Sequence, residues 1–126
     1  MFINAMPPYN PNFQYSHPIK KAFDKGLMPE VKKGLLGHSI NKETRSLEHL
    51  TPKSLGGGLE WDNVAITHKF ANSKRGVRPI EELVTKDMWI DYLKQFINVK
   101  NQYIDGIKYI KGLCKRFKIN IKEVLK

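Results

Sequence analysis

The chain has 126 residues, with 22 Lys and Arg against 12 Asp and Glu, a formal net charge of +10 and one cysteine. A single cysteine excludes an internal disulfide framework, and no run approaches the roughly 20 apolar residues of a membrane-spanning helix. The length suits one domain, 1–126, with a modest core, and the positive excess favours a polyanionic partner. With no signal-peptide pattern at the start, the expectation is a cytoplasmic protein with no membrane partner.

In chain order, residues 1–17 are rich in Pro, Asn and aromatics and predict an irregular arm. PIKKAFDK, residues 18–25, predicts a short helix entered at Ser16 or His17 and stopped by Gly26. Residues 28–33 predict one more helical turn. The apolar run 35–40, with the polar stretch 41–45, predicts a hairpin whose second arm leads into the next strand; His38, within it, is read as structural.

Residues 46–50 predict that strand, from the alternation of Leu47 and His49 with Glu48 and Leu50. Thr51-Pro52 ends it, because proline removes a ladder donor. Gly56-Gly57-Gly58 must be loop. Residues 63–67 predict a second strand, after turn chemistry at Trp61-Asp62-Asn63. Residues 68–74 predict a short helix, with Thr67 as its N-cap and Gly76 just past its end. The sum over 46–76 is a ββα unit.

Residues 79–126 read as a helical buttress. A short helix is predicted over 79–85, and a longer one from Asp87 with Met88, Trp89, Tyr92, Leu93, Phe96 and Ile97 on one face. A third, over 102–117, places Tyr103, Ile107, Ile110, Cys114 and Phe117 together. Its Lys108, Lys111, Lys115 and Arg116 lie largely elsewhere, where phosphates can be tracked. Asn120, with Glu123 three residues on, opens a last turn or two. The fold class expected is α+β, small and mostly helical.

Chemistry concentrates in the ββα unit. Glu48 and His49 are strand neighbours, so their side chains point to opposite sides. The carboxylate can face the helix and share a cation with Asn72, leaving the imidazole to face a substrate. Carboxylate and amide oxygens are hard ligands that suit Mg²⁺ or Mn²⁺. A metal beside a histidine base suits phosphodiester hydrolysis.

On these residues the stretch resembles the HNH endonucleases, of the ββα-metal or His-Me finger class. The matching positions are Glu48, His49, Pro52, Gly56-Gly57, Asn63, Asn72, Arg75 and Gly76, with gaps of fourteen (63 − 49) and nine (72 − 63). The resemblance implies that His49 is the general base activating water and that Glu48 and Asn72 hold a divalent metal. It implies that Asn63 fixes the backbone carrying His49. The activity implied is metal-dependent hydrolysis of DNA, most readily double-stranded. The alternatives are a catalytically weak nucleic-acid-binding module or an RNA-directed nuclease. Lys53, Lys74 and Arg75 are candidate phosphate contacts. Many relatives carry a zinc on two cysteine pairs; with Cys114 alone no structural zinc is expected, and His68 is read as structural or supporting rather than as a ligand. An isolated unit of this kind cuts one strand, so a double-strand break calls for a dimer or two visits.

Overall fold

The computed structural model describes residues 17–126, so the arm predicted over 1–17 lies, His17 apart, outside the described residues. Among them the chain is α+β, with five α-helices and one two-stranded antiparallel sheet. No described helix is long and apolar enough to cross a membrane.

Helix α1 (Pro18–Asp24) starts where proline presets φ for a first turn. His17 caps it, its Nδ1 accepting from the Ile19 N–H at 3.1 Å. Strand β1 (Arg45–His49) pairs antiparallel with β2 (Val64–His68), Leu47 opposite Ile66 and Glu48 opposite Ala65. Helix α2 (Lys69–Arg75) follows directly. Its N-cap is His68 rather than Thr67: His68 Nδ1 accepts from the Phe70 N–H at 3.2 Å, while Thr67 stays buried in the strand.

The segment before β1 departs from expectation. No hairpin forms over 35–45, and residues 28–33 make no helix. The chain crosses itself through a single bridge, Lys33 to Ser39, and the 41–45 turn closes on Asn41 Oδ1, which accepts from the Glu43 and Thr44 N–H groups. The reason lies in the sheet. A two-stranded sheet leaves the outer edge of β2 without partners, and buried backbone groups must be satisfied. The Leu35 N–H takes the Ile66 carbonyl at 2.8 Å. Two buried tyrosines serve the rest of that edge. The Ile66 N–H donates to Tyr92 Oη at 2.8 Å, and Tyr92 and Tyr109 hydroxyls meet at 2.9 Å. Tyr109 then donates to the Val64 carbonyl at 2.7 Å.

Those tyrosines come from α3 (Lys86–Lys94), capped by Thr85, and α4 (Gly106–Phe117), capped by Asp105. The predicted helix over 79–85 is only a 3-10 turn at Ile80–Glu82. Helix α4 starts later than its apolar pattern suggested: the Tyr103 and Ile104 N–H groups donate to Asn101 Oδ1, and the Gly106 N–H returns to the Val99 carbonyl, in the segment that follows α3. A Cβ at Gly106 would stand 1.9 Å from the Phe96 carbonyl oxygen, so only glycine fits that approach. Helix α5 (Ile121–Leu125) is capped by Asn120; Glu123 reaches Lys86 at 2.7 Å instead of closing a capping box. Ile19, Leu35, Ile66, Leu93, Phe96, Ile110 and Leu113 form the centre of the core, between the sheet and these helices.

Candidate active site

Strand alternation decides what β1 offers on each side. Ser46 and Glu48 face α2, which touches both. His49 faces the other way, into a shallow hollow lined also by Lys20, Leu47 and Leu59. Its imidazole is half-buried, and its pKa is lowered from the ordinary 6.5, first by burial and then by the Lys53 ammonium, with Glu60 opposing. A neutral imidazole that meets solvent is the form a general base needs. Buried His17 lies near enough for the charge of His49 to lower its own pKa, after burial as the main cause.

Asn63 locks the loop that follows His49. Its Oδ1 accepts from the Thr51 N–H at 2.7 Å, and its Nδ2 donates to the Thr51 carbonyl at 3.2 Å and the Gly58 carbonyl at 2.8 Å. The Leu50 N–H in turn donates to the Asn63 carbonyl at 2.8 Å. The loop can lie this close only because Gly57 has no side chain: a Cβ there would sit 1.7 Å from the Thr51 oxygen. Thr51, two residues after His49, is therefore tied to the Asn63 side chain at both of its backbone groups, and Leu50 is tied to the Asn63 backbone.

One member of this network was not legible in the sequence as such. Arg116, near the end of α4, donates to the Asp62 carbonyl at 2.6 Å, to Asn63 Oδ1 at 2.8 Å and to the Thr51 hydroxyl. It stands 53 residues beyond Asn63, among cations whose place on the helix suits phosphate tracking. Its guanidinium is instead spent on bracing the loop. Only the packing of α4 against the 61–63 turn reveals it.

The proposed cation ligands are brought close to one face but not to one another's service. Glu48 is 0 % exposed, and Arg75, 3 % exposed, donates to its Oε2 at 3.0 Å. The same guanidinium donates to the His49 carbonyl at 2.8 Å, the Leu50 carbonyl at 2.7 Å and the Arg78 carbonyl at 2.8 Å. Burial raises the Glu48 pKa above its ordinary value, with Arg75 pulling it back. Asn72 turns its Nδ2 to the Ser46 hydroxyl at 3.0 Å and the Leu47 carbonyl at 3.2 Å.

Two expectations change as a result. Arg75 is not placed as a phosphate contact; it is a buried brace between α2 and the end of β1. Glu48 and Asn72 as folded do not fit a shared catalytic cation. A catalytic ion must reach both ligand and phosphate, whereas this carboxylate is sealed inside with an arginine already supplying its positive charge. The partnerless Glu48 Oε1 is buried as well, and Tyr92 is near enough to feel the charge.

Lys53 is exposed four residues after His49, in the 3-10 turn Lys53–Leu55, where its charge reaches the imidazole. Lys74 is exposed on α2 but lines a different hollow, with His38, His68 and Phe70. There the His38 and His68 rings lie 6.0 Å apart, and His68 also caps α2. Comparison with family models, with curated proteins and with solved structures finds no match for this chain.

Proposed function

We propose that the chain is an endonuclease of the HNH type that hydrolyses phosphodiester bonds in DNA, with His49 as the general base. The observation that carries the reading is the placement of His49. A solvent-facing imidazole, biased towards its neutral form, ends a strand whose continuation is clamped by Asn63. A strand, a long clamped loop, a strand and a short helix in that order fit a ββα nuclease unit, and the basic charge of the chain fits its substrate. His49 takes a proton from water, oxygen attacks phosphorus, and the P–O bond to the leaving sugar oxygen breaks, that oxygen being protonated from solvent. Lys53 lies where it can meet the phosphate charge.

The test is cleavage of supercoiled plasmid, single-stranded DNA and structured RNA by wild type and His49→Ala, each checked for folding by circular dichroism. Base catalysis contributes about 10² to 10⁴ in rate. His49→Ala should therefore lose practical cleavage while retaining DNA binding. Near wild-type cutting by that variant would remove His49 from the mechanism. Cleavage confined to RNA would replace the substrate, and binding without cleavage by wild type would leave a nucleic-acid-binding module.

A further inference from the structure

Trp61 opens the 3-10 turn Trp61–Asn63 and keeps 40 % of its surface exposed. The ring is fixed without being covered. His17 meets it edge-on at 4.7 Å between centroids, and Tyr109 at 6.2 Å. Two hollows border the ring. One is lined by Asp105, Lys108 and Tyr109, the other by Asp62, Gly112, Lys115 and Arg116. Gly112 lines the second hollow, where even a Cβ would meet nothing nearer than Asp62 Cβ at an ordinary contact distance of 3.8 Å.

Helix α4 supplies the charge. Lys108, Lys111 and Lys115 follow one another at i, i+3 and i+7, the spacing of one helical stripe. All three are exposed, and none joins an ion pair among the described residues. Arg116 is not part of this stripe's free charge, being held by Thr51, Asp62 and Asn63. At its other edge Trp61 touches His17, the neighbour of His49.

The geometry points to a track for an unpaired nucleic-acid strand, with one base stacked on Trp61 and the neighbouring phosphates along Lys108, Lys111 and Lys115. An exposed, rigid aromatic face beside a row of cations is the combination that holds single strands without reading sequence. An acidic peptide would use the lysines but has no need of the flat ring, and a duplex offers no free base face to it. The direction of the track, from α4 over Trp61 towards His49, rests on the nuclease reading; the binding itself does not.

Tryptophan fluorescence tests it directly, because the second tryptophan, Trp89, is only 3 % exposed and stacks on Phe117 in the interior. The His49→Ala protein is titrated with a labelled dT oligonucleotide, a matching RNA and a duplex, following tryptophan emission and anisotropy together. Single strands should quench the emission, and Trp61→Phe should remove the quench. Losing a stacked base should weaken binding by about 5- to 150-fold in Trp61→Ala. Replacing Lys108, Lys111 and Lys115 together by Ala should lower the salt slope of log K by about 2, at roughly 0.7 per phosphate on a single strand. If single strands bind with no quench, and Trp61→Ala and the triple variant bind as the parent does, the track is wrong and the nuclease reading stands. Binding of duplex alone also overturns it. If no nucleic acid binds, both fall.

Discussion

Replacing Arg75 by Ala tests the placement that differs most from the sequence expectation. An exposed phosphate contact would leave stability within about 0.5 kcal/mol and cost DNA affinity. The structure instead has the guanidinium buried against a fully buried Glu48 at 3.0 Å, with three further hydrogen bonds to backbone carbonyls. Removing one partner of such a pair strands the other charge and typically costs about 3–5 kcal/mol. For a chain of 126 residues the unfolding entropy is roughly 0.26 kcal/mol/K, so the melting temperature should fall by about 10–20 °C. The pH dependence identifies the cause. Burial already raises the Glu48 pKa above 4.5, and Arg75 opposes that rise, so its loss raises the folded-state pKa further. A carboxyl with a raised folded pKa favours the folded state fully below its unfolded pKa and loses that contribution as pH rises through the folded value. The deficit of Arg75→Ala should therefore be smaller near pH 4 and grow towards neutrality. Thermal melts across this range decide the matter. A variant that melts within a degree or two of wild type while binding DNA poorly would show that Arg75 is a surface contact instead.

Cleavage by wild type should decline in acid with a midpoint below 6.5, since burial and Lys53 lower the His49 pKa. Lys53→Ala should move that midpoint up and Glu60→Gln should move it down; a profile indifferent to both would mean that another group sets the acid limb. Asn63→Ala leaves the Thr51 N–H and the Thr51 and Gly58 carbonyls without their partner. At about 1–3 kcal/mol for each buried group left unpaired, chemical denaturation should register a loss of about 2 kcal/mol or more, and unchanged stability would count against the clamp. Arg116→Ala should lower the cleavage rate with little change in oligonucleotide affinity, because the side chain braces the loop rather than the phosphates; an affinity loss with an intact rate would reverse that assignment. Glu48→Gln should leave Mg²⁺ or Mn²⁺ binding, measured by calorimetry, unchanged. Loss of binding in that variant would restore Glu48 as a cation ligand.

Much of the unit around His49 follows from local sequence. Alternation over 46–50 and the short run 63–67 predict two strands, which form one residue away at Arg45–His49 and Val64–His68; Pro52 and the glycines force a loop between them, and Gly76 stops the helix. Because side chains alternate along a strand, adjacency alone puts Glu48 and His49 on opposite faces, as the structure has them. What adjacency cannot say is how deep each face lies. Helix α2 lies against the Glu48 side and its Arg75 donates to a carboxylate that is fully buried, so an acidic residue that reads as a ligand becomes half of an internal ion pair. Arg75 reads as a surface cation for the same reason: its depth is set by what packs on α2, not by its neighbours in sequence. The missing hairpin over 35–45 is another case, since the demand came from the unpaired edge of β2 and was met by Leu35, Tyr92 and Tyr109 from three separate segments. Short-range pattern determines which residues turn, extend or coil, because those preferences are steric and local. Burial, ion pairing and the bracing of Thr51 by Arg116 depend on contacts across 25 to 65 residues, and only the packed tertiary structure decides them.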